Sequence, residues 1–330
     1  MKLSRLGEFG LIERIRRSAP SRSGVRIGIG DDAAWVSHGS GSSLITADLL
    51  IEAVHFDLNW TSLFALGYKS LAVNLSDIAA MGGTPAYAVV SLGIPRHLDS
   101  KQIDEFYRGF NTLAKKSGVA LIGGDTNMAQ SLIISVCVMG HPPLRPVRRS
   151  GAKVGDDVYV TGTLGDSALG LKLLRRKRSR AKRNSVAQLL ARHHQPIPRL
   201  AAGALLARGH LATAMIDISD GLLQDLGHIC KASNTGAAIW HEQLPLSPAY
   251  RRFAAKDGTV YALCGGEDYE LLFCARPRDR VQIEKLQALA RVKITRIGSC
   301  VPADQRITVL DHGGNPLSLP IKGHDHFKKS

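Results

Sequence analysis

The sequence has few of the features that mark a membrane protein, a secreted disulfide scaffold or a zinc protein. It has no apolar run long enough to cross a bilayer, so no transmembrane helix is expected. Its five cysteines are scattered and form no CxxC pair, which predicts free, mostly buried thiols and argues against zinc. The N-terminal stretch is charged throughout and lacks the apolar segment of a secretory signal. These absences together predict a cytoplasmic protein.

Several common catalytic signatures are also missing. No GxxxxGK[ST] is present, so the chain is not expected to be a P-loop enzyme, and it has neither the HRD nor the DFG motif of a protein kinase. No HExxH occurs, which again argues against zinc. The stretch GVRIGIGDD resembles a glycine-rich dinucleotide loop only loosely. Any phosphate site in this chain must therefore be built in another way.

Basic residues outnumber acidic ones, and the net charge is +15. Much of the excess lies in the run 172–183, KLLRRKRSRAKR. Blocks of like charge are usually solvated, so we interpret this run as an insertion loop. A nucleic-acid-binding surface is the alternative interpretation. The run has no interleaved aromatic residues, however, and the chain has no helix-turn-helix, zinc-finger or RNP signature, so nucleic acid is not expected as a partner.

The 330 residues, 44% of them hydrophobic, are enough for one large domain or two ordinary ones. Apolar periodicity predicts helices over 62–81 and 100–118, with a buried strand at 86–94 between two prolines. The fold class is therefore predicted to be α/β, of the α+β type.

A stretch rich in proline, glycine and charge, 142–156, predicts a domain junction. The domains are accordingly placed at 1–146 and 147–330. Three local expectations are more specific. LITA is a strand that ends at Asp48, VALIGGD is a strand that runs into a glycine turn, and YALCGGEDYELLFCA is a strand, a turn and a strand.

Acidic residues are few, yet they cluster beside glycine or after apolar runs. Each one alone has an ordinary explanation, because glycine and aspartate are common turn residues. A carboxylate at the end of an apolar strand is costly, however, unless it is solvated, hydrogen-bonded or bound to a cation. Magnesium prefers oxygen ligands, so the pattern predicts a phosphate site with several magnesium ions. Its residues are Asp31 and Asp32 in GIGDDAA, Asp48 after LITA, Asp77 in NLSDIAAMGG, Asp125 in LIGGDTN, Asp217 and Asp220 in MIDISDGLLQD, and Glu267 and Asp268 in LCGGEDYEL.

A series of motifs resembles, in order, those of the thiamine-monophosphate kinase family. They are GEFGLIERI, GIGDDAA, TADLLIEAVHF, YKSLAVNLSDIAAMGG, LIGGDT, RSGAKVGDDVYVTGTLGDSALGL, IDISDGLLQDLGHI, GGEDYEL and KGHDHF, and they cover nearly the whole chain. The resemblance implies a two-domain fold like that of aminoimidazole ribotide synthetase. In that fold an N-terminal domain binds ATP and magnesium and pairs across a homodimer, while a C-terminal α/β domain closes the active-site cleft.

The resemblance also implies roles for single residues, carried over position by position. Two positions depart from the family pattern. Ala47 often has threonine as its counterpart, so only its backbone carbonyl could bind a metal. His324 often has tyrosine as its counterpart, although histidine can still stack on a thiazole or pyrimidine ring. Magnesium ligands are expected at Asp32, Thr46, Ala47, Asp48, Asp77, Asp125, Asp217 and Asp220, ATP contacts at Gly123, Gly124, Asp125, Arg149 and Ser219, and contacts to thiamine monophosphate at His55, Glu267 and His324.

The expected reaction is ATP-dependent phosphorylation of thiamine monophosphate to thiamine diphosphate. The second pKa of the acceptor phosphate is about 6, so the phosphate is mostly a dianion at neutral pH and needs no general base. The barrier is repulsion between two polyanions, which several magnesium ions would offset in a direct in-line transfer. The carboxylates are therefore assigned to metal binding, and no catalytic base is expected.

Other enzymes of the same superfamily remain alternatives. Selenophosphate synthetase normally has a reactive cysteine or selenocysteine near its N-terminus, whereas the first cysteine here is Cys137. The hydrogenase-maturation enzyme would end in a reactive cysteine, whereas this chain ends HFKKS. Aminoimidazole ribotide synthetase is the stronger rival. A basic nucleic-acid-binding module is the alternative from a different class.

Overall fold

Helices and strands alternate along both halves of the computed structural model, which describes residues 3–175, 183–254 and 258–317. The first half contains helices α1 (Leu3–Ser18), α2 (Leu63–Ala80) and α3 (Ser100–Ser117), and strands β1 (Val25–Ile27), β2 (Ala34–His38), β3 (Gly41–Ile51), β4 (Thr84–Ile94), β5 (Ala120–Met128) and β6 (Ile133–His141). The second half contains helices α4 (Asp166–Arg175), α5 (Arg183–His194), α6 (Leu200–Arg208), α7 (Leu222–Ser233), α8 (Pro248–Phe253), α9 (Gly258–Cys264) and α10 (Arg280–Ala290), and strands β7 (Asp157–Thr161), β8 (Ala214–Asp217), β9 (Thr235–Trp240), β10 (Leu271–Ala275), β11 (Ile294–Pro302) and β12 (Ile307–Leu310).

The first half forms a six-stranded sheet in the order β1-β2-β3-β6-β4-β5, in which only the β4–β5 pair is parallel. Helices α2 and α3 pack against one face of this sheet. The helices cross closely, because Cβ atoms added at Gly67 and Gly109 would lie 1.9 Å from the carbonyl oxygens of Phe106 and Phe64. The core between helices and sheet contains Phe106, Phe110, Leu71, Leu75, Ile134 and Val136. Each such side chain stabilises the fold by about 1.5–3 kcal/mol through burial.

The second half forms another six-stranded sheet, in the order β12-β9-β11-β7-β10-β8, and it is covered on both faces. One face buries a large apolar cluster with helices α7, α8 and α9, and the other packs against α6 and α10. Strand β7 lies inside this sheet between β11 and β10, and all five of its residues are buried. Burial of every residue follows from this central position, because apolar clusters cover both faces of the sheet.

Helix α2 joins the two halves and positions the site. Nearly all of its residues are buried, because the first sheet lies on one side and α6 and β8 lie on the other. A Cβ atom at Gly203 of α6 would lie 2.0 Å from the carbonyl oxygen of Ala79, so these helices are also in close contact. The C-terminal end of α2 therefore lies beside the end of β8.

The helices over 62–81 and 100–118 and the strand at 86–94 are confirmed within one or two residues. Asp99 begins α3 with a capping box to Gln102, and Gly118 ends it in the left-handed conformation.

Three local expectations were wrong. Strand β3 continues to Ile51, so Asp48 lies within it and pairs with Val136. Strand β5 continues through Gly123 and Gly124 without a turn, because both residues pair with β4 in extended conformation. The segment YALC ends helix α9 rather than forming a strand, since a short apolar run fits either structure.

All five cysteines are free, as predicted, and three of them are buried. In the part of the chain that the structure describes, no helix is both long and apolar enough to cross a membrane. The second sheet begins at Asp157, after the last strand of the first sheet has ended at His141. Of the basic run 172–183, residues 176–182 lie outside the described residues.

Candidate active site

Three aspartates from distant parts of the chain meet where the two halves contact each other. Asp32 lies in the loop between β1 and β2, Asp77 in the last turn of α2, and Asp217 at the end of β8. One carboxylate oxygen from each aspartate lies within 4.8 Å of those from the other two, and Asp32 and Asp217 are buried. We call this group the aspartate cluster. It unites three of the residues that the sequence predicted as metal ligands.

Strand β3 adds two further predicted residues beside this cluster. Thr46 and Asp48 share the inward face of the strand, because side chains alternate along it. Thr46 Oγ1 donates a hydrogen bond of 2.5 Å to Asp77 Oδ2, and the charge of Asp48 raises the pKa of Asp77. Ala47 lies between them on the exposed face, so its methyl group points away from the cluster.

The electrostatics of the cluster favour a bound cation. Burial raises the pKa of Asp77 well above its ordinary value, and the nearby carboxylates of Asp48, Asp217 and Asp32 raise it further. Burial and the charge of Asp32 likewise raise the pKa of Asp217 to about 8. Asp32 Oδ2 is buried and has no hydrogen-bond partner among the residues that the structure describes. Because oxygen atoms of this kind are the ligands that magnesium prefers, the residues present fit a magnesium site.

Arg149 closes one side of the cluster. Its Nη2 donates to Asp32 Oδ1 at 2.7 Å, and its backbone N–H donates to Asp31 Oδ1 at 2.7 Å. In the described part of the chain, its Nε is buried and has no hydrogen-bond partner. The guanidinium group therefore has donors beyond those that Asp32 uses, and it can bind a phosphate oxygen next to the carboxylates.

Asp220 lies outside the aspartate cluster, in a neighbouring group with Asp225 and His228 of α7. Asp225 Oδ2 accepts hydrogen bonds from the backbone N–H groups of Asp220 and Gly221, at 3.1 and 3.0 Å, and thereby ties the preceding loop to the first turns of α7. Asp225 and His228 were not predicted. The sequence signal that could have indicated them is their three-residue spacing, which places both side chains on one face of a helix.

Gly123, Gly124 and Asp125 lie on β5, the edge strand of the first sheet. A Cβ atom at Gly124 would lie 1.8 Å from the carbonyl oxygen of Val90, so this position requires glycine. Asp125 is exposed and accepts hydrogen bonds from the backbone of Thr126 and the side chain of Asn127. The strand register places Asp125 in one row with Ser91, Ser135 and Leu49, on the face opposite Asp48. The single chain therefore does not bring Asp125 into the aspartate cluster.

Ser219 and Glu267 lie in two loops of the second half that are hydrogen-bonded to each other. The backbone N–H of Glu267 donates to the carbonyl oxygen of Ser219 at 2.7 Å. The Glu267 carboxylate contacts Lys69 and His193, neither of which was predicted as a site residue.

The two predicted substrate histidines differ in what the structure shows. His55 lies in the turn after β3, and its Nδ1 accepts a hydrogen bond of 3.0 Å from the backbone N–H of Ile51. Its neutral form therefore carries the proton on Nε2. His324 lies outside the described residues.

Residues 30–141 match the family model for the N-terminal domain of AIR synthase related protein, and residues 153–310 match the model for the C-terminal domain. The fold and site therefore define a two-domain protein of the AIR synthase related class, as predicted. The chain is 40% identical over 327 residues to the thiamine-monophosphate kinase of Escherichia coli K12, covering 97% of this chain and 98% of that protein. It is 36% identical over 328 residues to the Bacillus subtilis thiamine-monophosphate kinase, covering 98% and 100%.

Among solved structures, that of AaThiL complexed with AMPPCP and TMP is 34% identical, covers 99% of each chain and superposes with a TM-score of 0.85. The chain belongs to the thiamine-monophosphate kinase family.

The aspartate cluster should make the protein less stable as the pH rises when no divalent cation is present. A carboxyl group whose pKa is raised by folding stabilises the fold while it is protonated, and Asp217 has a raised pKa of about 8. That contribution is complete below about pH 4, the ordinary pKa of aspartate, and is lost as the pH rises through about 8. Thermal unfolding in EDTA at about pH 6 and about pH 8 measures the difference.

Magnesium should raise the Tm more at the higher pH, because it binds ionised carboxylates in competition with protons. Asp217→Asn should reduce the pH dependence without abolishing it, because the pKa of Asp77 in the same cluster is also raised. Identical Tm values at the two pH values in EDTA, together with no effect of magnesium, would contradict this account of the cluster.

Proposed function

We propose that this chain phosphorylates thiamine monophosphate with ATP, giving thiamine diphosphate and ADP. We further propose that the γ-phosphoryl group is transferred directly and in line, with several magnesium ions bound. One observation carries the proposal: three aspartates, two of them buried, cluster between two AIR synthase related domains, and within the described residues one of their oxygens has no hydrogen-bond partner. The relatives named thiamine-monophosphate kinase and the AaThiL complex with an ATP analogue and TMP support the choice of substrates.

The aspartate cluster, with Asp48 and Thr46 beside it, would hold the magnesium ions. Bound there, the ions would neutralise phosphate charge that otherwise keeps two polyanions apart. Thr46 orients the carboxylate of Asp77 through its hydrogen bond. Ala47, Asp125 and Asp220 remain proposed ligands, although the single chain places Asp125 on the other face of the sheet.

The remaining residues would bind and orient the two substrates. Arg149 offers free donors to phosphate oxygens, and the backbone N–H groups of Gly123 and Gly124 are a proposed phosphate cradle. Ser219 is the further proposed nucleotide contact. His55, Glu267 and His324 are proposed to contact thiamine monophosphate. No residue is needed as a general base, because the acceptor phosphate is mostly ionised at neutral pH.

We also propose that the chain acts as a homodimer that pairs through its N-terminal domain. The outward face and the edge strand of the first sheet expose apolar side chains, which are typical of an interaction surface, at Leu49, Tyr87, Leu121, Ile122 and Met128. In this proposal residues 1–146 bind ATP and magnesium and form the dimer, and residues 147–330 close the cleft.

Measuring ADP release with different phosphoryl-group acceptors tests the proposed activity. ADP release should require both magnesium and thiamine monophosphate, and should stay near background with the aminoimidazole ribotide precursor or with water. Release that depends on the aminoimidazole precursor would instead favour the synthetase. Salt-sensitive RNA or DNA binding without any acceptor-dependent ADP release would favour the nucleic-acid-binding alternative.

A further inference from the structure

Two side chains from different helices meet at the carboxylate of Glu267. Lys69 Nζ of α2 donates to Glu267 Oε1 at 2.6 Å. His193 Nδ1 of α5 lies 3.2 Å from Glu267 Oε2. The Lys69 and His193 side chains are each 4% exposed, whereas that of Glu267 is 26% exposed. The two buried partners therefore hold a carboxylate that is still partly exposed to solvent.

The proton on His193 can be assigned from its partners. Nδ1 lies 3.0 Å from Ser167 Oγ as well as 3.2 Å from the Glu267 carboxylate. An ionised carboxylate only accepts hydrogen bonds, so Nδ1 carries the proton. Burial alone would raise the pKa of Glu267, but the Lys69 ammonium and His193 hold it well below its ordinary value. Glu267 is therefore an anion with one donor on each oxygen.

The backbone around Glu267 is held in an unfavourable conformation. Glu267 has φ 68° and Tyr269 has φ 50°, in the left-handed region that non-glycine residues rarely adopt. Backbone hydrogen bonds from these residues to Ser219 and Ile218, at 2.7 and 2.8 Å, stabilise the loop. Conformations of this kind persist where the surrounding contacts fix a functional group.

The location of Lys69 ties this carboxylate to the aspartate cluster. Lys69 and Asp77 lie on the same helix, eight residues and hence about 12 Å apart along its axis. That separation is comparable with the length of a phosphorylated heteroaromatic molecule. Helix α2 therefore fixes the spacing between the aspartate cluster and the carboxylate that Lys69 orients.

We propose that Lys69 and His193 are positioning residues, which orient the Glu267 carboxylate toward the cationic thiazolium ring of thiamine monophosphate. This inference rests on the proposed function. The thiazolium ring carries a permanent positive charge, and a half-buried carboxylate held by two donors is preorganised to bind it. Lys69 comes from the first half of the chain and His193 from the second, so the recognition group exists only when the halves are packed together.

Steady-state kinetics of Lys69→Met and His193→Leu test this role. Each change should raise the KM for thiamine monophosphate about tenfold or more, while kcat and the KM for ATP stay within about threefold, because only the binding of the acceptor ring is weakened. His193→Asn keeps a donor near Nδ1 and should recover most of the affinity. Lys115→Met and His97→Leu are matched controls, since both side chains are exposed and neither residue donates to Glu267, and both variants should behave like the unchanged protein.

A double-mutant cycle shows whether Lys69 acts through Glu267. Once Glu267→Gln has removed the charge, adding Lys69→Met should raise the KM by less than about twofold. Thermal unfolding is measured for each variant. If Lys69→Met alone fails to fold, the comparison of Glu267→Gln with the double variant still tests the role of Lys69.

Additive effects in the cycle, unchanged KM values in the folded single variants, or control shifts as large as those of His193→Leu would overturn the positioning role. If the unchanged protein itself releases no ADP with thiamine monophosphate, the proposed function fails instead.

Discussion

Replacing Asp77 with asparagine should lower kcat for thiamine monophosphate by about a thousandfold or more. Asp77 is central to the aspartate cluster, lying next to Asp32, Asp217 and Asp48 and receiving the hydrogen bond from Thr46. The amide keeps the shape of the side chain but removes the charge that would hold magnesium against phosphate. Initial rates at saturating ATP, acceptor and magnesium measure the loss.

Two controls separate loss of chemistry from loss of fold. Asp304→Asn, an exposed change in the second half, should leave kcat unchanged. In EDTA the Asp77→Asn protein should be at least as stable as the unchanged protein, because one of several mutually repelling buried carboxylates has gone. Activity close to that of the unchanged protein at low magnesium would show that Asp77 is not a metal ligand.

Replacing Arg149 with methionine should lower kcat/KM for ATP by about a hundredfold or more, since a donor to phosphate is lost and Asp32 loses its ion-pair partner. Lysine at this position should recover only part of the loss, because it restores the charge but not the planar arrangement of donors. The matched control is Arg148→Met, which changes an exposed arginine one residue earlier.

Kinetics with ATP as the varied substrate decide the outcome. A KM for ATP that does not change, in a folded Arg149→Met protein, would place the nucleotide elsewhere.

Much of the fold could be predicted because it depends on local signals. Helix α3 has an apolar stripe, a capping aspartate and a terminal glycine, and each of these signals indicates the same boundaries. The glycines of VALIGGD were misinterpreted because glycine permits either a turn or a close contact with another strand. Only the contact between Gly124 and Val90 shows which applies. The YALC segment was misassigned because four apolar residues have no distinguishing period.

The aspartates of the candidate site could be predicted because each lies in a recognisable motif, and the structure brings Asp32, Asp77 and Asp217 together. Lys69 and His193 could not be predicted as site residues. Lys69 is 198 residues from Glu267, and within helix α2 it occupies a position that looks like any other in a buried helix. Nothing in the sequence reveals a partner at that distance. The structure was equally necessary to show that Asp125 lies on the outward face of its sheet.

The fate of the γ-phosphoryl group tests the central claim most directly. Purified protein, incubated with magnesium, thiamine monophosphate and ATP labelled at the γ-phosphorus, should form thiamine diphosphate that carries the label in its terminal phosphate, with one ADP released for each product molecule. Label released only as orthophosphate, AMP as the nucleotide product, or no thiamine diphosphate above background in magnesium-replete protein would contradict direct transfer by this chain.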